Sequence, residues 1–171
     1  MTTPLITAPA SASDSLTRSL AVSSRLAFIA APVLFAISLA LPAYDTPSYK
    51  GWECAKHVFG VLTELPTEGY LGWLYYACFN VTNLTLILLP LLSFTPLGRY
   101  GAKRVCWLAG TCVLHTYSWL GYAILRNAFN DLKVGYYVWL LATMTLFAAC
   151  LLRVHAQRRR DAAAPLPPHA H

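Results

Sequence analysis

Four stretches of this 171-residue chain contain no Asp, Glu, Lys or Arg: residues 26–43, 70–92, 105–125 and 134–152. A soluble domain interleaves charge along each amphipathic helix, whereas here charge is segregated. Only 12% of residues are charged, against about 25% in ordinary soluble domains, so lipid is the expected solvent for most of the chain. A helix crosses about 30 Å of hydrocarbon in roughly 20 residues. The four runs hold 18, 23, 21 and 19 residues, the first being marginal. Barrel strands are about 10 residues long and alternate polar with apolar, which these continuous runs do not. The expected fold is therefore all-α, an integral membrane up-down four-helix bundle spanning residues 24–154.

Orientation follows from the basic residues. With the amino terminus in the cytoplasm, the inner segments hold Arg18, Arg25, Arg99, Lys103, Arg104, Arg153, Arg158, Arg159 and Arg160, and the outer loops hold Lys50, Lys56, Arg126 and Lys133. A nine-to-four division places both termini inside by the positive-inside rule. The acids lean outward, with Asp45, Glu53, Glu64, Glu68 and Asp131 outside against Asp14 and Asp161 inside. The same rule accounts for the net charge of +6 without a nucleic-acid partner. The short links 93–104 and 126–133 make consecutive helices antiparallel neighbours. Tyr70, Trp73, Tyr75, Tyr76, Trp119, Tyr122, Tyr136, Tyr137 and Trp139 crowd the outer ends, where aromatic rings anchor at headgroup level.

Residues 1–23 are rich in Thr, Ser, Ala and Pro and are expected to form a disordered cytoplasmic tail. Residues 155–171, basic and then Pro-rich, are expected to form a second, with Arg153 to Arg160 as a stop-transfer anchor able to attract anionic lipid. A rival reading makes the first run a signal peptide cleaved after Ser38-Leu39-Ala40; the 25 residues ahead of the run are long for that. Ala27 with Ala31, and Ala36 with Ala40, form small-residue faces that permit close helix contact. They do not say whether the partner helix is in the same chain.

One candidate site is a polar layer at mid-membrane. Tyr76, Asn80 and Asn83 fall at i, i+4, i+7, and Thr111, His115, Ser118 and Tyr122 at i, i+4, i+7, i+11, each a single helix face. Thr143 and Thr145 reach the same depth. Facing lipid, these groups lack partners, so Asn80, Asn83, Thr111, His115, Ser118 and Thr143 are expected to face one another. Two readings remain open. Intramembrane ionisable residues point to a proton relay, a small-molecule site or a cofactor ligand. Asn, Thr and neutral His also serve as interhelical glue worth about 0.6–2 kcal/mol each. No Asp, Glu, Lys or Arg lies in a span, which argues against an ion pump, and a bis-His haem lacks its second histidine.

The second candidate is the outer loop 44–69, the one extramembrane segment large enough for recognition, through Trp52, Glu53, Cys54 and His57. Cys54 and His57 have C-x-x-H spacing, but two ligands do not make a metal site, and no metal or cofactor is expected. The five cysteines contain no C-x-x-C; four lie in apolar runs, where cysteine acts as a small hydrophobe.

Catalytic templates are missing. There is neither a G-x-S-x-G nor a glycine-rich phosphate loop, and no span pairs carboxylates. A claudin-like layout requires two cysteines in the first loop, where Gly51-Trp52-Glu53-Cys54 supplies one. Gly51-Trp52-Glu53-Cys54 and Gly135-Tyr136-Tyr137-Val138-Trp139-Leu140, opening the fourth run, resemble patterns in small uncharacterised bacterial four-helix inner-membrane proteins. That resemblance covers two short motifs and implies no activity. The leading expectation is a non-enzymatic inner-membrane protein acting through contacts with a membrane-protein partner or a second copy, as an accessory subunit or an immunity-type protein. The alternative is transport, proton relay or quinone-like cofactor binding at His115, Asn80 and Asn83.

Overall fold

The computed structural model describes residues 10–45, 48–63, 69–95 and 101–163. Glu64, Glu68, Arg99 and the two chain ends lie outside them. The described chain is helical apart from a small hairpin. Its elements are α1 (Ala10–Ala40), β1 (Pro42–Tyr44), β2 (Tyr49–Lys50), α2 (Gly51–Val61), α3 (Tyr70–Ser93), α4 (Ala102–Leu125), a 3-10 turn (Phe129–Asp131) and α5 (Val134–Ala163).

Three helices are long and apolar enough to cross a membrane: α1 from Ser15, α3 and α5. Only 22–33% of their most apolar windows is buried within the chain, so most of that apolar surface faces outward. α4 has the same 24-residue length as α3. It is less apolar because Thr111, His115, Thr116, Ser118 and two tyrosines interrupt its run.

Two expected tails are partly helical. Residues 10–23 belong to α1, because Ala10 to Ala31 contains neither Gly nor Pro and a helix propagates readily once the apolar run has nucleated it. α5 continues to Ala163 through Arg, Gln and Ala, all strong helix formers, with Ala156 buried beneath it. The expected outer loop likewise contains the hairpin and α2.

α1 and α5 form the most extensive helix pair, running antiparallel. Ser24, Phe28, Ala31, Phe35 and Ser38 are buried on α1 at alternating steps of four and three, the spacing of a coiled-coil seam. Ala142, Leu146, Ala149 and Cys150 join the same core from α5. Ala31, Ala142 and Ala149 are each fully buried, and small residues let the two backbones approach. The Ser24 hydroxyl crosses this seam to donate to the Ala149 carbonyl at 2.9 Å. The Ala27–Ala31 face is thus used within the chain, while Ala36 and Ala40 are exposed.

α5 packs on its other side against α4, where the Tyr136 hydroxyl donates to the Thr116 carbonyl at 2.8 Å. α3 lies against α4 and α1. Arg153 of α5 reaches the end of α3, donating to the Ser93 carbonyl at 3.0 Å and lying over the Phe28 ring. A cation there satisfies one of the helix's last carbonyls and complements its dipole.

The opposite end carries the hairpin and is stitched by backbone bonds. Gly51 donates to Leu41, Lys133 to Ala43 and Asp45 to Asp131, all at 2.9–3.0 Å, and Lys133 pairs with Asp45 at 2.8 Å. α4 ends there in a Schellman motif: Asn127 takes φ 56, Asn127 donates to Ile124, and Ala128 donates to Ala123.

Two glycines make this end possible. A Cβ on Gly135 would meet the carbonyl oxygens of Pro42 and Leu41 at 2.8 and 2.9 Å, and one on Gly51 would run into the Ser38 carbonyl. Both sites lie against the carboxyl end of α1. Gly60, inside α2, has nothing within 4 Å of a built Cβ. Gly135→Ala is therefore expected to destabilise by about 1–3 kcal/mol through overpacking. Gly60→Ala is expected to be neutral or to stabilise by about 0.5–1 kcal/mol through helix propensity. Thermal unfolding of the two variants in detergent checks the contrast.

Candidate functional site: an aromatic cavity beneath the loop helix

α2 is amphipathic. Gly51, Cys54, Ala55 and Val58, at i, i+3, i+4, i+7, face inward as cavity walls. Trp52, Lys56 and Phe59 face outward, with Trp52 49% and Phe59 62% exposed. Glu53 accepts the Lys50 N–H at 2.7 Å, satisfying a backbone donor at the start of the helix as a capping-box acid does. At the other end Asn80 of α3, nearly buried, donates its side-chain N–H to the Val58 carbonyl at 2.9 Å. Val58 lies in the last turn of α2, where carbonyls lack helical partners. Asn80 therefore ties the loop helix down onto α3.

Beneath α2 lies a cavity of about 300 Å³. Eight of its nineteen wall residues are aromatic: Phe35, Tyr44, Tyr49, Tyr76, Phe79, Trp119, Tyr136 and Trp139. None is Asp, Glu, Lys or Arg, so the walls favour an uncharged occupant. Phe79 stacks on Trp139 with centroids 5.6 Å apart and meets Trp119 edge-on at 5.5 Å.

Asn83 is one of the polar residues of this wall, with Ser38, Cys54 and His57. Its Oδ1 accepts the Trp139 Nε1–H at 3.0 Å. An indole nitrogen can only donate, so the amide orientation is settled and its NH2 points away from Trp139. Among the described residues that NH2 makes no hydrogen bond, and Asn83 itself lines the cavity.

The expected polar layer separates into local pairs. Asn80 bonds α2 and Asn83 bonds α5. His115 Nε2 lies 3.2 Å from the Tyr75 carbonyl; since a carbonyl only accepts, Nε2 carries a proton. Nδ1 is buried and has no partner among the described residues. His115 does not line the cavity, and Phe79, which does, packs against its ring at 4.5 Å. Ser118 donates to the His115 carbonyl at 2.7 Å and so accepts from the Tyr75 hydroxyl at 2.9 Å. Thr111 is exposed and donates to its own helix at Trp107, and Thr143 is buried but donates to Leu140. Both hydroxyls are satisfied by the preceding turn, so neither needs the partner that the layer supplied.

Of the outer-loop residues, Cys54 and His57 line the cavity while Trp52 turns outward. Among the described residues no three of His, Cys, Asp and Glu gather closely enough to hold a metal ion. Burial, and then the Glu53 carboxylate, push the Cys54 thiol above its ordinary pKa. Tyr44 is pushed up by burial and then by the charge of the Asp131 carboxylate.

Tyr76, Trp119, Tyr136 and Trp139, expected among the headgroup anchors, are cavity walls. Tyr136 is 6% exposed, whereas Tyr70 is 69% exposed. Helical phase carries the distinction: Tyr76, Phe79 and Asn83 share one face, and Tyr136, Trp139 and Thr143 another. A scan against protein-family models and searches of curated proteins and of solved structures each returned no match.

Cys54 reports on the seating of α2. Removing the Asn80 hydrogen bond, worth about 1 kcal/mol, in Asn80→Leu should speed thiol alkylation of Cys54 about fivefold at constant pH. Because the thiolate reacts and its pKa is raised, the alkylation rate should reach half its maximum above the usual thiol range. Glu53→Gln should move that midpoint down. A midpoint that stays put in Glu53→Gln would show that the carboxylate does not act on the thiol.

Proposed function

We propose that this is a four-span plasma-membrane protein with both ends in the cytoplasm, binding a small planar ring compound that carries a carbonyl. A quinone headgroup is the chemistry that fits these walls. The observation carrying the reading is the Asn83 amide in an aromatic cavity wall, its Oδ1 engaged by Trp139 and its NH2 without a partner among the described residues.

α4 serves as the fourth span. At 24 residues it extends about 36 Å. Its threonines bond back to its own carbonyls and its outward side chains include Leu114 and Leu125, 72% and 83% exposed. Those features let a helix with several polar groups cross lipid with its threonine hydroxyls satisfied. The basic residues favour the end with Arg153 as the cytoplasmic one, which puts the cavity and α2 on the outer side. The bacterial inner membrane is the setting suggested by the motif resemblance.

A cavity of about 300 Å³ is at the small end of ligand sites, the size for one or two fused rings. Walls without Asp, Glu, Lys or Arg support binding or hand-over of an apolar molecule. Recognition by a partner protein has its own support in Trp52 and Phe59, exposed on α2 one heptad apart. With Lys56 between them, however, that face also matches an amphipathic helix lying in the headgroup layer.

The test compares 1,4-naphthoquinone with naphthalene, matched in shape and differing in carbonyls, by quenching of tryptophan fluorescence in the purified protein. The quinone should bind more tightly. Asn83→Leu should weaken quinone binding about 2–10-fold, the worth of one hydrogen bond, and leave naphthalene unchanged. His115→Leu, outside the cavity, should leave both within about twofold. Equal binding of the two probes to the native protein would refute the carbonyl-selective reading.

A further inference from the structure

The opposite end of the molecule has a second concavity that the cavity proposal does not use. α5 runs beyond Arg153 to Ala163, and its residues Val154, Gln157, Arg158 and Asp161, at i, i+3, i+4, i+7, face the first turn of α4. With Gly101, Ala102, Lys103 and Arg104 they enclose a cleft of about 380 Å³. Three cations line it against one acid. Among the described residues no ion pair joins Asp161 to any of them; the ion pair present is Lys133–Asp45, at the hairpin end.

The wall formed by α4 adds donors. Gly101 provides no side-chain cap, and the first turn contains no acidic residue, so Asp161, across the cleft on α5, is the one acid of the cleft lining that faces the positive end of that helix. Ala102 and Gly101 are small, leaving the cleft floor open to a bulky anion. Depth identifies the occupant. Arg158 lies five residues past Arg153, about 7.5 Å along the helix, and the headgroup layer on each side of a bilayer is about 5–8 Å thick. If Arg153 marks the hydrocarbon boundary, Arg158 and the α4 first turn sit at phosphate level.

We infer that this cleft binds the phosphate of an anionic phospholipid headgroup through Lys103, Arg104 and Arg158. A phosphate ester, with its compact charge and several acceptor oxygens, matches three convergent cationic donors. The inference rests on the membrane orientation given above, not on the ring-binding cavity.

Native mass spectrometry of the delipidated full-length protein, titrated with phosphatidylglycerol or phosphatidylcholine, tests it. Phosphatidylglycerol should bind as a discrete adduct and phosphatidylcholine weakly. Lys103→Gln/Arg104→Gln/Arg158→Gln should lower phosphatidylglycerol affinity about tenfold or more. Arg18→Gln/Arg159→Gln/Arg160→Gln removes the same charge elsewhere and should lower it less than about threefold. All six residues are exposed, so both variants should fold. Equal losses in the two variants, or none in the first, would overturn the cleft. A soluble arm separates the sources of phosphate: inorganic phosphate or glycerol 3-phosphate should not raise the unfolding midpoint at millimolar concentration. Stabilisation by these without lipid binding would overturn the lipid assignment. Failure of the native chain to sediment with membranes after carbonate washing would instead sink the orientation on which the inference stands.

Discussion

The carboxyl end of α1 is where the hairpin end of the molecule is assembled. Backbone atoms of Ser38 to Pro42 receive Gly51 from one side and Gly135 from another, each at a distance no Cβ tolerates. That double contact sets where α2 begins and how α5 enters its seam with α1. The hairpin, the Lys133–Asp45 pair and the backbone bonds from Asp45 and Lys133 then close the same end. Displacing α1 there would move two cavity walls at once.

Aromatic residues near a membrane surface have two uses, and this chain makes both. Tyr70, Tyr122 and Trp107 point outward, where an amphipathic ring suits an interface. Phe79, Trp119, Tyr136 and Trp139 point inward, stacking on one another around an internal space. A rigid ring cannot deform to fill an irregular gap, so a wall of large rings leaves room that aliphatic side chains would have closed. Two polar atoms of the inward set are paired: the Tyr136 hydroxyl with Thr116, the Trp139 indole with Asn83.

The polar residues of the apolar runs divide by reach. Thr82, Thr85, Thr111, Thr116, Thr143 and Thr145 all bond a carbonyl three or four residues back, which a short β-hydroxyl does without any neighbour. Asn80, Asn83 and His115 are longer and bond across elements. A stripe read at 3.6-residue spacing treats the two kinds alike, so Thr111 was grouped with His115 although the structure turns it outward. The asparagines are legible in the sequence as groups that need partners on other elements; Asn80 donates to Val58, and Asn83 accepts from Trp139. Their separate partners, α2 for one and α5 for the other, depended on a loop helix whose docking no local pattern announces.

The sequence by itself determined the helical class, the apolar segments and the basic bias of one end, because these depend on composition and on the backbone's need for internal hydrogen bonds in an apolar solvent. The two glycine-led motifs were also legible, but not their reason, since close approach of backbones is a property of a pair of segments. Tertiary structure alone decided that α2 folds back as a cavity wall, that four rings near the hairpin end face inward, and that His115 lies behind Phe79. Each of these turns on rotation of a helix about its axis. With polar and apolar residues spread around most of the circumference, local preference does not fix that rotation, and only packing against the other helices does.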